Sequence, residues 1–372
     1  MRIVLYPYNF HGGTAIYIVE LAKYLKGTAH ETYVIGERSG REGNLAFIRQ
    51  PPFPFGMMVR DTPLSYLAKP FLSYRIARTI SRIRPEMVIS SGFLYFVDKS
   101  ISIVQVGWDY PRSVVQAVVL ARRYASGLLC WYRALREIES SVTDRLFPTR
   151  NELTACVNSV VAERLRERGE HAVYLPPGIT PVRHRFSKYR RFTICFVAKN
   201  HIWTERKGLH HLLDALLTLA REHPELEWEL QVIGNVPPDS AARFRKYHEI
   251  RERIAVAGPL PREKSMETVA RSHLFAAPSL YDEFGYAVLE ALMLGTPVIA
   301  SQNESFLDMV TPECGVVTDT RDPAGFARQI ARLVRDKRLI RQMGRNARKR
   351  AVREYSWEKV MERIRQELRI SA

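Results

Sequence analysis

The sequence predicts an α/β protein with two doubly wound parallel sheets, and three observations carry that expectation. Short apolar runs of strand length alternate with longer stretches of helical periodicity. The strand-like runs end in glycine, proline or asparagine turns, as at Gly234-Asn235-Val236-Pro237-Pro238 and Gly258-Pro259-Leu260-Pro261. At 372 residues the chain is long enough for two hydrophobic cores of ordinary size, and a Pro/Gly-marked basic run at 172–191 offers the boundary between them.

Composition narrows the class further. Charged residues interrupt every apolar stretch well before the 18 or more residues a membrane span requires, and the amino terminus enters a strand at once, so a soluble chain without a signal peptide is expected. Cys130, Cys156, Cys195 and Cys314 lack metal-ligand spacing and sit in apolar runs, as reduced core thiols do. The formal net charge is +17, with 44 arginines against 12 lysines. Either anionic partners or solvated surface faces account for such a balance, and charge alone does not choose.

In chain order, RIVLYPY reads as a buried parallel strand running into Gly12-Gly13 and the helix TAIYIVELAKYL. Paired glycines at a strand's carboxyl end let backbone approach a ligand, or simply make a tight connection. Strands follow near Thr32–Gly36 and Leu45–Arg49, with helices expected between strands. The loop holding Phe53, Phe55, Met57 and Met58 precedes a helix ending at Arg84, which separates Ile76, Ile80 and Ile83 from Arg75, Arg78 and Arg82. That pattern fits a crossover helix packed on its sheet, or a basic amphipathic surface for an anionic membrane. Strands Glu86–Ser90 and Ile101–Val106 lead to Trp108 and Asp109, which read either as a structural tryptophan with an exposed aspartate or as an aromatic face and a carboxylate offered to a ligand. A long helical pattern covers 113–140, a strand Arg145–Pro148, and Thr149-Arg150-Asn151 is placed as the cap of the next helix.

The second half opens with RFTICFVAKN, a strand ending at Lys199. Lys207-Gly208 then starts a long amphipathic helix, so Lys199, Arg206 and Lys207 gather cations at a strand end and a helix start. Strands are expected at Trp228–Gly234, Arg253–Ala257 and Gly315–Thr318. Between them, LFAAPSLYDEFGYAVLEALMLGTPVIAS at 274–301 reads as strand, loop, helix, strand. Its helix is apolar on nearly every face yet carries Glu290. A buried carboxylate requires partners, and the glycine-bearing turn before the helix is suited to an anion.

Asp282 and Glu290, seven residues intervening, inside PSLYDEFGYAVLEALMLGTPVIAS resemble the acidic pair of retaining nucleotide-sugar glycosyltransferases of the GT-B fold, glycosyltransferase family 4. The resemblance implies two Rossmann-like domains facing an interdomain cleft: 1–180 on the acceptor side, a linker at 181–190, a nucleotide-sugar-binding domain at 191–355, and a helix at 356–372 crossing back near Tyr355-Ser356-Trp357. It implies transfer of a hexose-type sugar from a nucleotide diphosphate (a UDP-sugar or GDP-sugar) to an acceptor hydroxyl with retention of configuration.

Residue by residue, the resemblance assigns Glu290 to the ribose, Phe284, Gly285 and Tyr286 to the sugar and phosphate, and Gly12 and Gly13 to the phosphates. The first acid is Asp282 where the family usually has glutamate, with Glu283 beside it, and either one meets the sugar. Ala198-Lys199 and, after a longer spacer, Lys207-Gly208 stand where the family has Gly-Arg and Lys-Gly; Lys199 and Lys207 would neutralise a departing diphosphate, with Arg206 as a donor-binding cation beside them. Gly258 and Leu260 would frame the base. The family's sugar-proximal histidine is absent; Gly107 or Trp108 stands there, leaving Trp108 and Asp109 as possible sugar or acceptor contacts. Asn303-Glu304 replaces a glycine-rich turn.

No Asp-x-Asp motif or histidine cluster occurs, so no metal or other cofactor is expected. The partners implied are a nucleotide-diphosphate sugar and a glycan, lipid-linked or protein acceptor, in a cytoplasmic protein with peripheral membrane contact as an option. Two alternatives stand beside this: an Arg-rich nucleic-acid-binding protein, for which no binding module is recognisable, and a GT-B-fold protein that binds donor without turnover.

Overall fold

The computed structural model describes residues 1–6, 13–36, 39–49, 65–90, 100–104, 153–167, 169–182, 186–198, 202, 205–238, 240–282 and 284–367. The chain divides into two compact units, 1–177 with 363–372, and 178–362.

In the first unit eight strands form one sheet: β1 (Arg2–Tyr6), β2 (Glu31–Gly36), β3 (Gly40–Glu42), β4 (Leu45–Arg49), β5 (Met87–Ser90), β6 (Ser100–Val104), β7 (Leu153–Cys156) and β8 (Ala172–Tyr174). Their order is β3-β4-β2-β1-β5-β6-β7-β8, and every pairing is parallel except that of β3 with β4. The expectation of a helix between every pair of strands fails here. Between β2 and β4 the chain makes the short antiparallel strand β3, which is exposed along its length and closes the sheet's edge. The expected cap at Thr149–Asn151 lies outside the described residues. The next described element is the buried strand β7, and the following helix α3 (Ser159–Glu167) is capped by Asn158, whose Oδ1 accepts from the Val161 N–H at 2.9 Å. Leu153-Thr154-Ala155-Cys156 is too short and too mixed to show a period, so β7 was not separable from a helix start.

Helices α1 (Gly13–Leu25) and α2 (Ser65–Ile83) accompany this sheet. Ile76 and Ile80 of α2 are buried in a cluster with Val4, Tyr6, Ile35 and Val88, while Arg75, Arg78 and Arg82 are exposed. The isoleucine stripe therefore packs on the protein's own sheet, which decides for the crossover-helix reading of these residues. The loop with Phe53 to Met58, the 113–140 segment, the strand at 145–148 and Cys130 lie outside the described residues.

The second unit has six parallel strands: β9 (Phe192–Ala198), β10 (Trp228–Gly234), β11 (Ile254–Gly258), β12 (Leu274–Ala277), β13 (Val298–Ser301) and β14 (Gly315–Thr318). Their order is β11-β10-β9-β12-β13-β14. The chain thus winds outward from β9 to β11, returns to β12 beside β9, and winds outward again. The carboxyl ends of β9 and β12 meet at the point of reversal, where the diverging connections of an open α/β sheet leave room for a ligand.

On one face α4 (Leu209–Glu222) presents Leu212, Leu213, Leu216 and Leu219 to the same core as Phe326, Ile330 and Val334 of α9 (Pro323–Arg335). On the other face lies α7 (Tyr286–Met293), packed against α10 (Lys337–Tyr355). Two short helices, α5 (Ser240–Phe244) and α8 (Glu304–Leu307), and α6 (Arg262–Arg271) complete the connections, and α11 (Trp357–Glu367) ends the described chain. Between α10 and α11 the Ile179 N–H donates to the Tyr355 carbonyl at 2.7 Å, and Trp357, 1% exposed, lies on Gly178. Cys156, Cys195 and Cys314 are buried free thiols.

At the amino ends of this sheet, His273 Nδ1 accepts from the Thr193 N–H at 3.1 Å, and its ring stacks on Phe192 with centroids 5.1 Å apart. Burial, followed by the charges of Lys188 and Lys337, lowers its pKa to about 4. The unfolded chain takes up this proton near pH 6.5 and the folded chain only near 4, so stability falls as pH drops through that window and levels off below it. The variant His273→Asn keeps a side-chain acceptor and loses the titration. Its melting temperature is expected to decline less than the wild type's between pH 6.5 and 4, and equal slopes in the two proteins would remove His273 as the cause.

Candidate active site

The loop between β12 and α7 is fixed from three sides. The Leu280 N–H donates to the Arg206 carbonyl at 2.8 Å, Ser301 Oγ donates to the Ser279 carbonyl, and Ser305 Oγ donates to the Asp282 carbonyl at 2.6 Å. The loop is thereby tied to the connections that leave β9 and β13, the strands flanking β12. Such anchoring sets the loop's shape in advance of any ligand.

Gly285 caps α7 with φ of 87°, a left-handed conformation natural to glycine. A side chain there meets a second obstacle, because an added Cβ lies 2.5 Å from the Phe306 ring. Strain and overpacking act together, so Gly285→Ala is expected to destabilise the protein by about 2 kcal/mol. For a unit of this size that is a fall in melting temperature of about 4–8 °C, measurable by circular dichroism. Gly208 is the counterpart before α4. It is left-handed at φ of 70°, and an added Cβ would run into the Pro278 carbonyl, so the start of α4 presses directly on the end of β12.

That close approach brings two expected site residues together. Lys207 Nζ donates to Asp282 Oδ2, with side-chain exposures of 22% and 14%. The remaining acid, Glu290, was expected to be buried. It is partly exposed at 24%, and its Oε1 accepts from both Nε and Nη2 of Arg262 at 3.0 and 2.8 Å. The correction has a simple cause: Val288, Leu289, Ala291, Leu292 and Met293 are all buried, whereas Glu290 falls on the narrow side of α7 that faces α6. Partial burial and a guanidinium partner keep the carboxylate from bearing the full cost of desolvation.

Arg262 was not singled out from the sequence. It is the first residue of α6, directly after Gly258-Pro259-Leu260-Pro261, and its ion pair links the turn holding Gly258 and Leu260 to Glu290. The available signal was an arginine at a helix start following a Gly-Pro turn, which is too common to stand out. Ser305 and Asn303 were also missed in their actual roles. Asn303 Oδ1 accepts from the Ser305 N–H at 3.0 Å and so caps α8, which holds Ser305 under Asp282.

Of the remaining expected residues, Phe284 is buried at 2% and meets the Tyr286 ring edge-on at 5.3 Å, Arg206 is exposed, and Gly13 is the first residue of α1. Gly12, Trp108, Asp109, Lys199 and Glu283 lie outside the described residues. Beyond the carboxyl ends of β9, β11 and β12 the structure places a Lys207–Asp282 pair, an Arg262–Glu290 pair and the N-terminus of α7. The set is suited to a ligand with both anionic and hydroxyl groups.

Residues 190–350 match the family model described as glycosyl transferases group 1. The likeness to that family lies in this segment. It contains every described residue of the site on the second unit. Among curated proteins, the MMP alpha-(1->4)-mannosyltransferase of Mycolicibacterium hassiacum is 30% identical over 157 residues, 41% of this chain and 38% of the relative. The D-inositol 3-phosphate glycosyltransferase of Corynebacterium urealyticum is 27% identical over 42% of this chain and 39% of the relative. The matched segment thus spans about two fifths of these relatives' length.

Solved structures match over nearly the whole chain. Sucrose-phosphate synthase from Thermosynechococcus elongatus superposes with a TM-score of 0.74 at 16% identity, covering 99% of this chain and 98% of that one. WaaG, a glycosyltransferase involved in lipopolysaccharide biosynthesis, gives 0.69 at 14% identity, with coverages of 98% and 99%. Anabaena HepE, solved with UDP and glucose, gives 0.63 at 13% identity with 99% of each chain covered. The GT-B glycosyltransferase resemblance drawn from the sequence holds, and the fold is the expected one of two Rossmann-like units. Among the described residues no helix is long and apolar enough to cross a membrane.

Proposed function

We propose that this protein transfers a hexose-type sugar from a nucleotide-diphosphate donor to an acceptor hydroxyl with retention of configuration. The observation carrying this reading is the turn at 282–285. There an acid, a left-handed glycine and a helix N-terminus stand together, with Lys207 on the acid and Glu290 farther along the helix.

In this reading the N–H groups that open α7 and the Lys207 ammonium receive the diphosphate, Glu290 takes the ribose hydroxyls, and Asp282 takes sugar hydroxyls. As the bond from sugar to phosphate lengthens, charge builds on the phosphate. In this reading Lys207 offsets that charge, which lowers the barrier without a covalent step on the protein. The acceptor attacks from the face the phosphate leaves, and the departing phosphate oxygen takes the acceptor's proton. Lys207 supplies the positive charge that a metal would otherwise bring, so the reaction is proposed to need none. Lys199 and Glu283 belong to the proposal on sequence resemblance alone.

The curated relatives that act on sugars and the UDP complex of a structural neighbour support a nucleotide-sugar donor. A glycan, a lipid-linked sugar or a protein hydroxyl fits as acceptor. The exposed Arg75, Arg78 and Arg82 face of the first unit supports an anionic one, including a peripheral membrane contact.

The test is a thermal-shift series with UDP, GDP, ADP and their sugar conjugates, with and without chelator, followed by turnover assays with the stabilising donor. One base family is expected to raise the melting temperature regardless of chelator, with slow donor hydrolysis in the absence of acceptor. Stabilisation without turnover under any acceptor would favour a donor-binding protein. No stabilisation of the folded protein would return the question to its basic surface and nucleic acid.

A further inference from the structure

We propose that a cavity at the opposite, amino-terminal ends of the second sheet's strands is a binding site for a phosphorylated small molecule with an apolar body. The cavity measures about 950 Å³, within the range of ordinary ligand pockets. Leu294, Pro297 and Ile340 give it an apolar floor, and among the described residues no carboxylate lines it. Lys188, His273, Arg341, Arg345 and Arg348 supply the polar wall. The three arginines come from α10, at the fifth, ninth and twelfth positions of a helix with eight cations and one carboxylate.

The cations divide into two kinds. Lys188 has an exposed stem, but its ammonium donates to the carbonyls of Ala270 and Ser272 at 2.9 and 2.6 Å and to Thr296 Oγ1 at 3.3 Å, so its three hydrogens are spent. Arg348 donates to the Met293 and Val182 carbonyls at 3.0 and 2.7 Å. These two hold the walls and contribute positive potential. Arg341 spends only Nε, on the Lys337 carbonyl at 3.0 Å, and Arg345 makes no hydrogen bond or ion pair among the described residues. Both are exposed.

Solvated arginines on a convex helix face need no ligand. Here they border a concavity whose inner wall carries a neutral imidazole. Because His273 Nδ1 accepts from the Thr193 N–H, its proton resides on Nε2, a further donor. Two free guanidinium forks match the oxygens of a phosphate group, and the apolar floor takes the remainder of the molecule. The cavity is separate from the donor turn. β12 and β13 are four residues each, so roughly 13 Å of strand lies between the two ends. Helix α7 spans that distance, with Gly285 before its start and Leu294, on the cavity floor, after its end.

Binding of phenyl phosphate and of inorganic phosphate, measured by calorimetry, tests the assignment. Wild-type protein is expected to bind phenyl phosphate more tightly than inorganic phosphate. The double variant Arg341→Ala/Arg345→Ala should weaken phenyl phosphate at least tenfold. The pair Lys349→Ala/Arg353→Ala, which removes equal charge from the same helix outside the cavity, should stay within twofold, as should Lys207→Ala. Equal weakening in both double variants would reduce the effect to bulk charge, and weakening in Lys207→Ala alone would place the probe at the donor turn. Absence of phenyl phosphate binding, including the case where phosphatidylglycerol vesicles bind and the soluble probe does not, would overturn a small-molecule site.

Discussion

Replacing Glu290 by alanine is expected to weaken donor binding at least a hundredfold while leaving the protein folded. The carboxylate is the one acid on α7, it is reachable from solvent, and Arg262 holds one of its oxygens with two hydrogen bonds. In the proposed complex it accepts from two ribose hydroxyls. Hydrogen bonds to a charged group contribute roughly 1.5–3 kcal/mol each, so losing a pair costs about 3 kcal/mol or more, which is about two orders of magnitude in affinity. Removing the side chain also leaves the Arg262 guanidinium without this partner. Because the pair is a quarter to a half exposed, water can solvate what remains, and the melting temperature should change little. Calorimetry with the nucleotide chosen by the thermal-shift series measures the effect. Unchanged affinity would sink the ribose role and reduce the Arg262–Glu290 pair to a surface contact.

Lys207→Ala is expected to lower kcat by about 10²–10³ with a smaller effect on KM, the signature of charge stabilisation that matters most in the transition state. Lys207→Arg should recover part of the rate, since the charge returns in a different shape. Asp282 complicates this in an informative way, because the two side chains are paired in this structure. If the lysine shifts from the carboxylate toward the phosphate as charge develops, Asp282→Asn will lower kcat by less than Lys207→Ala, and the two effects will not add. Additive losses would mean that the residues act separately. A single-turnover assay with saturating donor isolates the chemical step from product release.

Much of the architecture could be read from residue patterns. Trp228–Gly234, Leu45–Arg49 and Gly315–Thr318 were expected as strands and are strands with those bounds, and the helix expected within 274–301 occupies Tyr286–Met293. These segments are mainly apolar runs bounded by turn-forming or polar residues, so local chemistry alone marks their limits. β3 and β7 were not legible, because their assignment depends on which neighbour they pair with. The role of Arg262 was hidden for a related reason. It lies 28 positions from Glu290, and only the packing of α6 beside α7 makes them partners. The same holds for Lys207 and Asp282, 75 positions apart.

The sequence by itself determined the alternation of strands and helices, the glycine turn before α7, and the presence of two acids and a lysine of the right chemistry. Each follows from interactions within a few residues: periodicity, backbone conformation and side-chain type. The strand order β11-β10-β9-β12-β13-β14 was decided only in three dimensions. It sets β12 beside β9, and with that it chooses the partner of each charge at the site and leaves Arg341 and Arg345 over a separate cavity at the far end of the sheet. Such contacts depend on the burial of whole faces, which no local pattern encodes.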